Sequence, residues 1–139
     1  KIINKRKRKR IETTFELINI FSGDSESNYG TKFFARLFQA IRIEVNDELN
    51  SLKKFLIQTK STLKRGGRLV VISYHSHEDR LVKKFMNYGS FFNTPEKDFF
   101  GHQKHCFKQL TKKPIIPSKD EIINNNKSRS AKLRICEKI

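Results

Sequence analysis

The sequence predicts an α/β fold, and three observations carry that expectation. Leu69, Val70, Val71 and Ile72 are apolar at every position, bounded before by Gly66-Gly67 and after by Ser73, Tyr74, His75 and Ser76. An unbroken apolar run suits a strand covered on both faces, as in a parallel sheet, and predicts an interior strand of a larger sheet. Leu81, Val82, Phe85 and Met86 then recur at helical spacing, so the strand passes through a polar turn into an amphipathic helix. Two short segments near the C-terminus, Cys106–Leu110 and Ala131–Cys136, read as further strands.

The turn has its own chemistry. Ser76 is the expected N-cap, its hydroxyl accepting from free N–H groups of the first helical turn, with Asp79 returning a capping bond. Glu78 and Asp79 complement the helix dipole at its start, Lys83 and Lys84 toward its end. Ligands of open α/β sheets bind beyond the carboxyl ends of parallel strands. That place falls to Ser73, His75 and Ser76.

Upstream, Lys1–Arg10 is a basic cluster, which serves as a solvated face or as a grip on phosphates. Thr13 or Thr14 caps a short helix with Phe15, Leu17, Ile18 and Phe21 as its apolar side. Ser22–Gly30 is polar and glycine-containing, hence a loop or linker. Thr31–Leu63 reads as one long helical region, with Phe34, Phe38, Ile41, Val45, Leu49, Leu52, Leu56 and Leu63 on one stripe. Arg42 and Asn46, four apart, share a face and form either a solvated pair or a polar grip on substrate. Lys64, Arg65 and Gly66-Gly67 end this region as a C-cap does.

Downstream, Asn87–Gln103 mixes aromatic residues with Gly and Pro. These rings either pin a loop to the core or stack on bases. His102, His105 and Cys106 lack a partner pair at zinc-site spacing, so no metal site is expected. Lys112–Pro117 is too proline-rich for a central strand. Ser118 caps a short helix carrying Ile122 and Ile123 inward, and Asn124-Asn125-Asn126 breaks it. Arg129 and Ser130 precede the last strand and either hold a phosphate or pin the turn.

The totals bound the function. A chain of 139 residues allows one modest domain. A charged fraction of 32%, a mean hydropathy of −0.65 and a formal net charge of +16 make it polar and strongly basic. That balance fits a polyanionic partner such as RNA, and equally the drift of a Lys- and Asn-rich composition. Cys106 and Cys136 make no disulfide framework, so reduced thiols in a cytoplasm are expected. No apolar run approaches the ~20 residues that span a bilayer, and no signal-peptide pattern follows the basic N-terminus.

Three blocks in order carry a family resemblance: FQAIRIEVNDEL at 38–49, GGRLVVISYHSHEDRLVKKF at 66–85 and KPIIPSKDEIINNNKSRSAKLRI at 113–135. Together they resemble the bacterial 16S ribosomal RNA cytosine-N4 methyltransferases. Arg65, His77 and Ala35-Arg36-Leu37 depart from the usual pattern without removing an obvious chemical group. The resemblance implies the C-terminal half of a class I Rossmann-like methyltransferase domain over 31–139. The tail of a helical insert domain and a linker would occupy 1–30. It implies S-adenosylmethionine as cofactor and, as partner and substrate, the 16S rRNA of the small ribosomal subunit, methylated at a cytosine N4 in the decoding centre.

Such folds hold the cofactor on a glycine-rich turn after the first strand, with an acidic residue for the ribose. None of the six glycines makes that turn, since Gly66-Gly67 precedes a strand. The expectation is a fragment whose cofactor loop and amine-facing acidic loop lie in a missing N-terminal part of the same fold. No cofactor or catalytic residue is therefore assigned. The residues left for the site rim and the RNA surface are Arg42, Asn46, His75, Ser76, Arg80, Arg129 and Ser130. Positioning an amine lone pair against a methyl sulfonium supplies much of such catalysis. The alternative is a non-enzymatic basic RNA-binding remnant using the same surface.

Overall fold

The computed structural model describes residues 1–22, 29–92, 99–101 and 105–139, which divide into two units, Lys1–Asp47 and Glu48–Ile139. The first unit is helical: α1 (Ile2–Arg8), α2 (Thr14–Ser22) and α3 (Thr31–Val45). Helix α2 opens on a reciprocal capping box. The Glu16 N–H donates to Thr13 Oγ1 at 3.1 Å, and Glu16 Oε2 accepts from the N–H groups of Thr13 (3.3 Å) and Glu12 (2.8 Å). Leu17 and Phe21, one turn apart, are buried, whereas Phe15 is 70% exposed, so the apolar side of α2 is narrower than expected. Phe21 meets the rings of Tyr29 and Phe33 edge-on, with centroids 5.5 and 5.1 Å away.

The long helix expected over Thr31–Leu63 is two helices. α3 stops at Val45, and α4 runs over Glu48–Thr62. Asp47 adopts φ 50° between them. Aspartate is one of the few side chains that enter this left-handed region readily, and a residue there ends a helix. The apolar stripe crosses the break without interruption, so periodicity alone did not reveal it.

The second unit contains α4, β1 (Arg68–Ser73), α5 (Ser76–Tyr88), β2 (Phe107–Gln109) and α6 (Lys119–Asn124). A 3-10 turn (Asn126–Ser130) then leads into β3 (Lys132–Lys138). The strands form one sheet of order β1-β3-β2. Both pairings are antiparallel, with Leu69 opposite Cys136, Ser73 opposite Lys132, and Phe107 opposite Lys138. The two expected C-terminal strands thus pair antiparallel. Ile115, in the proline-rich segment, adds only a single bridge to Leu133.

The strand β1 differs from expectation. It has no parallel partner among the described residues, and it lies at the edge of the sheet, not inside it. Its burial alternates: Leu69 and Ser73 are buried, while Val70 and Ile72 are more than half exposed. A continuous apolar run signals that both faces tolerate cover; it does not say that the same chain supplies both covers.

The covered face packs on α5 and α4. Leu56 of α4, Leu69 of β1, Val82, Phe85 and Met86 of α5, Phe107 of β2 and Cys136 of β3 form its core. Fully burying such an aliphatic or aromatic side chain stabilises by about 1.5–3 kcal/mol. Burial pushes the Cys136 thiol up to about 11. Helix α5 ends on Gly89 at φ 65°, where the left-handed residue that closes a helix must sit. A Cβ there would meet Cys106 Sγ at 3.2 Å.

Candidate functional site

Because Ser73 and Lys132 face each other in the ladder, the chain leaving β1 and the chain entering β3 lie at the same end of the sheet. Two side-chain links reinforce that meeting. The buried Ser73 Oγ donates to the Lys132 carbonyl at 3.4 Å. The buried Asp79 of α5 takes Arg134 Nε on Oδ1 at 2.7 Å and Nη2 on Oδ2 at 3.2 Å, and Lys132 Nζ lies 3.4 Å from Oδ2. Burial alone would raise the Asp79 carboxyl. The hydrogen bonds and charge of Arg134, with Lys132 beside them, outweigh it and hold the group below its ordinary value.

The turn between β1 and α5 is capped differently from the expectation. His75, not Ser76, is the N-cap, with extended backbone and its Nδ1 accepting from the Glu78 N–H at 3.4 Å. Ser76 is the first helical residue and exposed. Asp79 makes no capping bond, being held by Arg134; Glu78 reaches back instead and accepts from the Tyr74 N–H at 3.0 Å. A histidine ring nitrogen does here what a hydroxyl usually does, which the usual capping preferences do not anticipate.

The other His75 nitrogen, Nε2, is buried and lies 3.1 Å from Glu78 Oε1, close enough for an ion pair yet not aligned as a hydrogen bond. Glu48 of α4 also reaches this place, its carboxylate within 4.8 Å of the His75 and Glu78 ligand atoms. No local pattern joins Glu48 to His75, 27 positions along the chain. As a metal set the trio is wrongly poised. Nδ1 faces an N–H donor, so a neutral ring carries its proton on Nε2, the atom that a cation would need bare. His105, considered for a metal site from the sequence, has Nδ1 3.3 Å from the Asn87 carbonyl, while His102 lies outside the described residues.

The remaining expected site residues are distributed as follows. Arg80 is exposed on α5, one turn in from the cap. Arg129 and Ser130 are exposed on the 3-10 turn that leads into β3, while Ser128 between them and the helix is buried and donates to the Asn125 carbonyl at 2.8 Å. His75, Ser76, Arg129 and Ser130 therefore flank the same end of the sheet. Arg42 and Asn46 belong to the first unit, at the exposed end of α3, where the Asn46 N–H donates to the Arg42 carbonyl at 3.0 Å. Asp79, Lys132 and Arg134, which tie the site together, escaped the sequence reading as a unit. Only the alternation of Lys132 and Arg134 on one strand face hinted at it.

A cofactor cradle needs N–H groups free to approach a ligand. In this turn the Tyr74 and Glu78 N–H groups are already spent on Glu78 and His75 side chains, and no glycine opens the backbone. This turn thus lacks the glycine-opened N–H cradle that S-adenosylmethionine needs.

The fold and this site define an α/β unit with a polar rim at one end of its sheet and an uncovered apolar face. The match to known proteins is specific. The model of the MraW methylase family matches residues 1–139, and the chain belongs to that family. It is 46% identical over 138 residues to the ribosomal RNA small subunit methyltransferase H of Parabacteroides distasonis, covering 99% of this chain and 45% of that protein. It is 52% identical over 137 residues to the protein of that name from Flavobacterium psychrophilum, covering 99% and 47%. The counterpart from Amoebophilus asiaticus is 48% identical, with 99% and 44% covered. The chain spans slightly less than half the length of these curated relatives. Among the described residues, no helix is long and apolar enough to cross a membrane.

Proposed function

We propose that this chain is the C-terminal part of an S-adenosylmethionine-dependent methyltransferase acting on the N4 amine of a cytosine in 16S rRNA. The observation that carries it is the family match over residues 1–139, joined to relatives whose names specify small-subunit ribosomal RNA methylation. The uncovered β1 supports the division of labour. Val70 and Ile72 face solvent, and the strand's outer edge is unpaired among the described residues. A sheet continued from that edge would bring further strands, and with them the cofactor turn and the groups that face the target amine.

In this scheme the present residues are the rim. His75 and Ser76, with Arg129 and Ser130, frame the end of the sheet where ligands of such folds bind, while Arg80 adds positive charge on α5. The Asp79–Arg134 pair sets where that rim stands. Arg42 and Asn46 serve as a polar grip on the RNA from α3. Residues 1–30 correspond to the end of a helical insert and its linker, and residues 31–139 to the methyltransferase domain.

Two measurements test this. Calorimetric titration of the chain with S-adenosylmethionine is expected to show no micromolar binding; a micromolar constant would mean that the cofactor site lies in these residues. Joined to the N-terminal part of a relative, the chain is expected to place a methyl on cytosine N4 of unmodified small subunits, read by mass spectrometry of digested rRNA. A methyl on any other atom refutes the assignment.

A further inference from the structure

The helix α1 is hard to account for as a self-supporting element. It has seven residues, buries none of them, and carries Lys5, Arg6, Lys7 and Arg8 in its last turn with no acidic residue in its first. Isolated helices of this length are marginal in water, and contiguous like charges repel. Lys9 pairs with Glu16 at 3.1 Å, but that carboxylate is also bound to the N–H groups that start α2. Lys5, Arg6, Lys7, Arg8 and Arg10 meet no carboxylate among the described residues.

The surface beside α1 is not flat. Two depressions of about 220 and 270 Å³ lie on it, sharing Lys5 and Ile20. Lys9, Arg10, Ile11, Asn19 and the carboxylate of Glu16 line the first, Lys1, Asn4 and Arg8 the second. Each therefore sets cationic side chains beside aliphatic ones, and the one carboxylate, Glu16, is already held by Lys9 and by the N–H groups that start α2. A merely solvated charge run has no need of such concavities. A nucleic-acid strand does: phosphates pair with the cations, while ribose and base edges pack on the aliphatic side chains.

We propose that the α1–α2 face is an RNA-docking surface that takes a single-stranded segment, with Lys5, Arg8 and Arg10 on its phosphates and Ile11 and Ile20 beneath its sugars. The partner class rests on the rRNA reading above; the location does not follow from it. An anionic membrane is the poorer fit, because α1 offers only Ile2 and Ile3 as apolar anchors and Ile2 is already half-buried.

The test uses the full chain, a single-stranded RNA oligonucleotide and fluorescence anisotropy over a range of salt. Lys5→Gln/Arg8→Gln removes two charges that line the depressions. Arg6→Gln/Lys7→Gln removes two that do not. Since α1 buries nothing, both variants keep their circular dichroism. The lining pair is expected to weaken binding and to flatten the slope of log affinity against log salt by about 1.4, from ~0.7 per single-strand phosphate contact. The off-face pair is expected to change the slope by less than half of that. Equal losses would show diffuse attraction only and overturn the docking face, as would unchanged RNA binding in the lining pair. Binding to phosphatidylserine vesicles lost in the lining pair while RNA binding persists would replace RNA with a membrane. None of these outcomes bears on which base is methylated, so the surface can fail while the proposed reaction stands.

Discussion

Asp79 of α5 and Arg134 of β3, 55 residues apart in sequence, form a two-point ion pair in the buried layer between helix and sheet, with 2.7 Å from Oδ1 to Nε. It fixes the first turn of α5 against the entry to β3, and so fixes the rim of the candidate site. Removing one partner leaves the other buried without its match, which typically costs about 3–5 kcal/mol. Arg134→Met is expected near the lower end, because Lys132 remains 3.4 Å from Asp79. Urea unfolding of the variant measures it; a loss under about 1 kcal/mol would show that the pair carries little.

The same pair gives a pH dependence of known sign. The Asp79 carboxyl lies below its ordinary 3.8 in the folded chain, so its contribution is complete above that value and is lost as pH falls through the depressed one. Asp79→Asn lacks the contribution at every pH. The stability gap between wild type and Asp79→Asn is therefore expected to stay constant between about pH 5 and 8 and to close in stronger acid. A gap that grows on acidification would contradict the assignment.

The N-cap of α5 can be told from its neighbour by substitution. His75→Ala removes the acceptor of the Glu78 N–H and is expected to cost about 1 kcal/mol. His75→Asn keeps a short polar acceptor and should recover most of it. Ser76→Ala should be nearly neutral, since Ser76 makes no capping bond. If Ser76→Ala is the costlier change, the cap sits where the sequence first put it.

Much of this fold was legible, and the failures share a cause. Local signals held: the strand, turn and helix of 66–86, the Ser118 cap with its 3.1 Å bond from the Glu121 N–H, and the C-terminal strands all form. What depended on distant partners did not come through. No local pattern says that Asp79 belongs to Arg134 instead of to its own helix end, or that Glu48 approaches His75. The position of β1 is the sharpest case. An edge placement of Leu69–Ile72 speaks, by itself, against the interior strand of a nucleotide-type sheet. The chain's place in the MraW methylase family rests on the match over residues 1–139, which does not depend on where β1 lies in the sheet, and Val70 and Ile72 stay exposed among the described residues.

Thiol chemistry separates the two cysteines. Cys136 is fully buried, and burial lifts its thiol to about 11, so almost no thiolate exists at neutral pH. Cys106 is only partly buried. Alkylation at pH 8 followed by peptide mapping is expected to mark Cys106 first and Cys136 only once denaturant opens the core. Equal rates would mean that the layer of α5 against the sheet is loose.

The open side of β1 makes the last prediction. Val70 is 54% and Ile72 53% exposed on a strand whose outer edge is unpaired among the described residues, and neither position carries a charge or a proline to discourage association. A contiguous apolar face beside a free edge recruits other chains. The chain by itself is expected to self-associate as concentration rises and to bind a hydrophobic dye. Val70→Lys with Ile72→Thr should suppress both, with under about 1 kcal/mol change in unfolding, since surface changes away from packed contacts cost little. Addition of the N-terminal part of a relative should also suppress both in the wild-type chain, by covering that face. If dye binding survives the double substitution, the sticky surface lies elsewhere and the sheet does not continue from this edge.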